Sequence, residues 1–327
     1  MHSYRHGFHA ANHADVLKHA IVVHILDYFN NKHTPYRVID THAGAGIYDL
    51  QGEWATHSNE AAQGGLKLAR VKGQVPGLIE RYLEATGLLD GEQTSNYPGS
   101  PWLALNALRP KDQLHLFETH PTEIEVLQRN LRQRKNIPAR QLSLHAADGF
   151  EGVKALLPPP SRRGLVIMDP SYEDKQDYRR VIKALEEGLK RFATGCYAVW
   201  YPQVQRREAL ELVRSLQRLP DCEWLNATLA VSAPSQDGFG MYGSGMFIIN
   251  PPWTLRAALE AALPWLVRQL GQDNKAGYTL ADSSKPKAVE ATHKPRHTAG
   301  MPPRPGATAG RRTPRTGPAR PRRNPSN

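Results

Sequence analysis

The chain has 327 residues, of which 40% are hydrophobic and 8% aromatic, and a net charge of +11. That is enough for one large α/β domain or two small ones, with no run of about 20 apolar residues to cross a membrane and no apolar core of a signal peptide. Cys196 and Cys222 are the two cysteines; they make no disulfide framework, so a cytoplasmic protein with reduced thiols is expected.

The N-terminal segment carries Tyr4, Arg5, His6, His9, His13, Asp15, Lys18 and His19. Its histidines have no cysteine and no H-E-x-x-H spacing beside them, so no metal is expected. Tyrosine, arginine, lysine and histidine suit stacking on a base and touching phosphate, whereas a solvated arm is the plainer reading. A helix is predicted over Ala14–Phe29 and a strand over Tyr36–Asp40. The strand runs into Asp40-Thr41-His42-Ala43-Gly44-Ala45-Gly46, whose small residues let the backbone approach a ligand closely. The third glycine of a dinucleotide fingerprint is missing, which argues against a dehydrogenase. Residues from about 50 to 97 are long for one connection and carry helical spacing at Leu66–Arg70 and Val75–Thr86. A small helical insertion is expected there, serving as a substrate-facing lid or as a structural cap.

Strands and helices then alternate. Predicted strands are Gln113–Glu118, Leu142–His145, Leu165–Asp169, Tyr197–Tyr201, Trp224–Val231 and Gly245–Asn250. Predicted helices are Pro121–Arg134, Gly149–Leu157, Asp177–Phe192, Arg206–Arg218 and Leu255–Leu270. Continuous apolar strands alternating with helices imply a mostly parallel sheet covered on both faces. Ligands of such sheets sit at the strands' C-terminal ends. Residues 271–327 hold 12 Lys/Arg against 3 Asp/Glu, and residues 1–270 hold 30 against 28, so the basicity lies in the tail. From 285 on, Pro, Arg, Gly, Thr and Ala dominate without periodicity, and disorder is expected. The expected domains are 1–272 and a basic tail, 273–327.

Acidic residues recur at the predicted strand ends. Glu118 is placed to accept bonds from ribose hydroxyls and Asp148 to meet an adenine amino group, although either also suits a helix N-cap. The fourth such strand ends in Asp169-Pro170-Ser171-Tyr172. An aromatic amine is a poor nucleophile because its lone pair is delocalised into the ring. Hydrogen bonds from its two N–H groups to Asp169 and the Pro170 carbonyl free that lone pair, and Tyr172 is placed to stack on the base. In-line attack on a methyl sulfonium then needs mainly orientation, and a base from a helix must first be flipped out. D-P-S is also ordinary turn chemistry. Asn250-Pro251-Pro252-Trp253 fits the acid-or-amide, Pro-Pro-aromatic pattern better. It ends about the seventh strand, however, where methyltransferases carry the catalytic tetrapeptide after the fourth. Strand order therefore assigns Asp169, and Asn250–Trp253 is expected to be a structural turn.

Taken together, Ser3–His19, Asp40–Gly46, Tyr97–Pro101, Ala147–Phe150, Ser161–Gly164, Lys190–Gly195, Trp200–Pro202 and Asn250–Trp253 resemble the RlmJ-type 23S rRNA (adenine-N6) methyltransferases over about residues 1–270. The resemblance implies a class I, Rossmann-like methyltransferase fold with a seven-stranded sheet and a helical insertion. It implies S-adenosylmethionine as donor and the exocyclic N6 of a single adenine of 23S rRNA as acceptor. Carried over by motif, the cofactor residues are His19, His42, Ser100, Glu118, Asp148 and Gly149, with Lys18 beside them and Asp169 shared. Asp169 is then the catalytic residue and Tyr4 contacts the RNA, joining Pro170 and Tyr172. The family usually has proline where this chain has Ser171. The expected enzyme is a cytoplasmic monomer that needs no metal and no membrane. The other readings left open are a methyltransferase acting on DNA adenine or protein glutamine, and a non-catalytic RNA-binding relative.

Overall fold

The computed structural model of the chain describes residues 7, 9–51, 59–89, 95–134, 137–138 and 140–284. Tyr4, His6 and the low-complexity residues 285–327 lie outside them, as does all of a second unit, 294–327. In chain order the elements are α1 (His13–Asn30), β1 (Arg37–Asp40), β2 (Ile47–Asp49), α2 (Glu60–Gln63), α3 (Gly65–Ala69), α4 (Gly77–Thr86), β3 (Asn96–Pro98), α5 (Ser100–Ala107), β4 (Gln113–Phe117), α6 (Pro121–Arg132), β5 (Leu142–His145), α7 (Gly149–Leu156), β6 (Gly164–Met168), α8 (Asp177–Arg191), β7 (Cys196–Gln203), α9 (Arg207–Leu216), β8 (Trp224–Ala230), β9 (Gly243–Ile249), α10 (Leu255–Leu270) and β10 (Gly277–Asp282).

One sheet has the order β10-β8-β9-β7-β6-β1-β4-β5. From β7 to β5 every pairing is parallel, while β9 runs antiparallel to β7 and to β8. The chain goes one way from β1, through β4 to β5, and the other way from β6. The switch point is therefore between β1 and β6, whose ends carry Asp40 and Asp169.

The sheet has eight strands among the described residues, against the seven expected. The extra one, β10, pairs antiparallel with β8, and Thr279 shares a side-chain hydrogen bond with Thr228 (2.7 Å). Only Leu280 of β10 is buried, so the strand gives almost no alternating signal. It also lies beyond residue 272, where the sequence places the domain's end.

Neighbouring residues along the central strands face opposite layers, as period-two side chains must. Val38, Leu165, Ile167 and Ala198 pack with α1, α4 and α10. Ile39, Val166, Met168 and Val199 pack with α7, α8 and α9. Helix α1 is buried on nearly every side, and Asn12 caps it by accepting from Ala14 and Asp15 N–H. The predicted insertion forms α2, α3 and α4. It is closed by a two-stranded ribbon, β2 on β3, that the sequence reading does not contain. Glu60 of α2 holds His9 (3.0 Å) and Asn12 (2.8 Å), fixing the N-terminal segment against the insertion.

The antiparallel run of β9 carries the better motif match away from the edge that holds Asp169. Ile249 pairs with Tyr197, near the start of β7. Asn250 thus leaves the sheet at the edge opposite Asp169. It takes a left-handed backbone (φ 50°) and its Nδ2 donates to the Ala193 and Gly195 carbonyls (2.7 Å each). Trp253 is exposed, and α10 begins at Leu255. These contacts make Asn250–Trp253 a turn that leads into a helix.

Candidate active site

The glycine-rich turn after β1 is laced to both neighbouring strands. Thr41 N–H and its hydroxyl donate to the Ile167 carbonyl, and Ala43 N–H donates to the Phe117 carbonyl. Gly44 (φ 58°) and Gly46 (φ 76°) are left-handed, and a Cβ on Gly44 would stand 2.4 Å from the Tyr48 hydroxyl. The turn must therefore be glycine for both its backbone and its closeness to β2.

Carboxylates gather around this turn. Glu118, just past β4, accepts from Gly44 N–H (2.8 Å) and His120 N–H (2.7 Å). Asp40 is fully buried, accepting from the Ser100 hydroxyl (2.7 Å) and more weakly from His42 N–H (3.3 Å). Burial, aided by the nearby Asp169 charge and opposed by the Ser100 bond, pushes the Asp40 carboxyl up to about 6. Burial lowers His42 to about 4, so its ring is neutral at pH 7; it shares a hydrogen bond with Thr41 and packs edge-on to Phe150.

Lys18 reaches this edge from α1. Its ammonium is 2.6 Å from Asp169 Oδ2 and 2.8 Å from Asp15 Oδ1, with its side chain only 4% exposed. Burial works against that charge, but Asp15 and Asp169 outweigh it and raise the lysine well above its ordinary value. The buried triad carries one net negative charge. His19, beside it, shares a 2.8 Å bond with the Tyr97 hydroxyl, which in turn meets the Tyr82 hydroxyl (3.1 Å). A hydrogen-bonded line thus runs from α1 through β3 to α4 of the insertion.

Two cavities of about 210 Å³ each flank Asp169. The first lies over the glycine turn, and Lys18, His19, His42, Ser100, Glu118 and Asp169 are all in its wall. The second is less polar; Tyr172, Tyr178, Trp200, Pro202, Arg206 and Met241 line it with Lys18 and Asp169. Lys18, Asp169, Ser171 and Glu173 belong to both. The first is ringed by carboxylates, histidines and the Ser100 hydroxyl. The second owes its lower polarity to Tyr172, Tyr178, Trp200, Pro202, Val204 and Met241.

Other expected residues stand elsewhere. Asp148 is the N-cap of α7, accepting from Phe150 N–H (2.9 Å), and it pairs with Arg180, which does line the first cavity. Gly149 is a packing glycine: a Cβ there would come within 2.1 Å of the Thr41 carbonyl oxygen. Gly149→Ala should therefore cost about 1–3 kcal/mol and shift the Asp40–His42 turn. Urea unfolding should show a lower midpoint. Pro170 is buried. Tyr172 is 2% exposed, with its hydroxyl donating to the Trp200 carbonyl (2.7 Å) and its ring 4.6 Å from that of Tyr178. The left-handed backbone at Tyr172 (φ 55°) accompanies this inward placement. The open stacking face expected of it is replaced by a wall of the second cavity.

Among the described residues no group of three metal-ligating side chains forms a cluster, and no helix is long and apolar enough to cross a membrane.

The model of the family described as "Ribosomal RNA large subunit methyltransferase D, RlmJ" matches residues 33–281. The chain belongs to this family. Ribosomal RNA large subunit methyltransferase J of Escherichia coli K12 is 43% identical over 271 residues, which is 82% of this chain and 94% of that protein. Its counterpart in Haemophilus influenzae is 40% identical over 282 residues, 85% and 97% of the two chains. The crystal structure of protein LPL1258 from Legionella pneumophila superposes with a TM-score of 0.74 at 33% identity, covering 85% of this chain and 99% of that one. The mostly parallel Rossmann-like sheet with its antiparallel β9 is accordingly a methyltransferase fold, and the chain is an enzyme of the RlmJ family.

Several residues of this RlmJ-family site have no local sequence signal. Arg206 follows β7, and Met241 lies between β8 and β9. Only the folding of the sheet's far half brings them to Asp169. The Lys18–Asp15 pair is an i,i+3 helix contact that spacing could have revealed, but nothing in the sequence points from Lys18 to a carboxylate 151 residues away.

Proposed function

We propose that this chain transfers a methyl group from S-adenosylmethionine to the exocyclic N6 of an adenine in 23S rRNA. The observation that carries the reading is the meeting of two cavities, one ringed by polar groups and one walled in good part by aromatic side chains, at Asp169 and its Lys18 partner. The glycine turn, Glu118, Ser100, His42 and His19 would hold the cofactor; their fit rests on the close approach that Gly44 permits and on the acceptors ringing it. When bound, that cofactor supplies an electrophilic methyl on a sulfonium.

Lys18 occupies Asp169 Oδ2, and among the described residues Oδ1 accepts no hydrogen bond. The lysine thereby fixes the carboxylate and presents its second oxygen to an N–H of the amine. The Pro170 carbonyl takes the other N–H, and the nitrogen lone pair is turned out of conjugation. Trp200 offers its buried Nε1, which has no partner among the described residues, to a ring nitrogen of the base. A paired adenine cannot enter this recess, so the base is taken unpaired or flipped. The folded part through β10 is the catalytic domain in this reading, and the basic residues beyond it add affinity without choosing the site.

The test is incubation with radiolabelled S-adenosylmethionine and, separately, unmodified large-subunit rRNA, DNA and a protein extract. Label recovered from the RNA as N6-methyladenosine supports the proposal. Label confined to DNA or protein refutes it.

A further inference from the structure

The loop between β8 and β9, residues 231–242, rises from the same sheet edge as Asp169, because Gly243 pairs with both Gln203, the last residue of β7, and Ala230. Its root is fixed. Val231 N–H donates to the Tyr242 carbonyl (2.9 Å), Tyr242 N–H to the Gln203 carbonyl (3.1 Å), and the Gln205 side chain to the Ser235 carbonyl. Met241 lines the second cavity. Two residues before it, Phe239 stands 79% exposed. It is flanked by Gly238 (φ 79°) and Gly240 (φ 89°), both with open space around them, and its own N–H is held by Asp237 (3.0 Å). A single exposed apolar residue is ordinary on a protein surface. This one is an aromatic ring on an anchored loop, two residues from Met241, which lines the cavity assigned to the target base.

A base withdrawn into that cavity leaves a neighbour whose ring face has lost its stacking partner. Every base presents a π-face, so an aromatic side chain can cover it whatever the sequence. We propose that Phe239 stacks on a nucleobase of the substrate RNA adjacent to the one held beside Asp169. This rests on the RNA-methylation reading above. The occupant is an unstacked base rather than a protein groove, because Phe239 is a lone exposed ring in a loop whose Met241 lines the second cavity.

The full-length protein and its Phe239→Ala, Phe239→Leu and Phe239→Trp variants are compared on unmodified large-subunit rRNA and on a fluorescein-labelled single-stranded oligoadenylate. Phe239→Ala should lower kcat/KM on rRNA and the oligoadenylate affinity by about tenfold, as loss of one stacked base does. Phe239→Leu should behave like Phe239→Ala, while Phe239→Trp stays near wild type. S-adenosylmethionine affinity should not change in any of them. The slope of affinity against salt should also be unchanged, since no cation has been removed. Wild-type efficiency and affinity in Phe239→Ala, or full rescue by Phe239→Leu, would overturn the stacking role alone. Absence of label in rRNA with the wild-type protein would overturn both proposals.

Discussion

Replacing Asp169 by asparagine is expected to lower methyl transfer to rRNA by about a thousandfold or more, with the fold and the affinity for S-adenosylmethionine near wild type. In the proposed reaction the carboxylate has two oxygens and two tasks: one takes the Lys18 ammonium at 2.6 Å, the other is left for the amine. An asparagine has one acceptor. Its carbonyl will turn to Lys18, the stronger donor, and its NH₂ will then face the NH₂ of the base, donor against donor. Asp169→Ala removes the acceptor outright and should be as inactive. Neither change leaves an unmatched buried charge, because Lys18 keeps Asp15 at 2.8 Å. Single-turnover rates and calorimetry with S-adenosylmethionine separate the two effects. Near-normal transfer in Asp169→Asn would remove Asp169 from the chemistry.

Lys18→Met should have the largest effect on stability, a loss of about 3–5 kcal/mol. Asp15 and Asp169 have side chains 1% and 15% exposed, and fully buried Asp40 adds to the negative charge of the same region. Without the lysine, the carboxylates face one another with no cation and little water. Transfer should fall as well, since nothing then orients Asp169. Adding Asp15→Asn to Lys18→Met should recover part of the stability by removing one of the opposed charges, and none of the rate. A double-mutant cycle on urea midpoints measures that recovery. A Lys18→Met protein as stable as wild type would mean that the triad contributes nothing to folding.

The order of the strands was legible in the sequence, and it is the ground on which Asp169 is proposed for the chemistry. Asp169 and Asn250 each follow an apolar strand, and local fit favours Asn250. Only counting strands from the glycine turn separates them, and the antiparallel β9 puts them at opposite edges of the sheet. The acidic residues at strand ends were legible as a series but not one by one. Glu118 ends at the cavity wall, whereas Asp148 caps α7 and reaches the cavity through Arg180. Local sequence cannot tell these apart, since both uses want a carboxylate just after a strand. The ribbon of β2 on β3 spans three residues a side and β10 is largely solvated, so neither leaves a periodic trace. The second cavity was illegible for another reason: its walls come from α1, the β6 end, β7 and the loop before β9, and no window of sequence contains them.

The clasp between Lys18 and Asp169 also sets an order of events during synthesis. The lysine leaves the ribosome within the first helix, and its second carboxylate follows 151 residues later. Until β6 is made, the lysine has only Asp15, three residues before it, as its partner. The recess at Asp169 is therefore complete only when the first helix and the fourth central strand, far apart in the chain, have closed on each other.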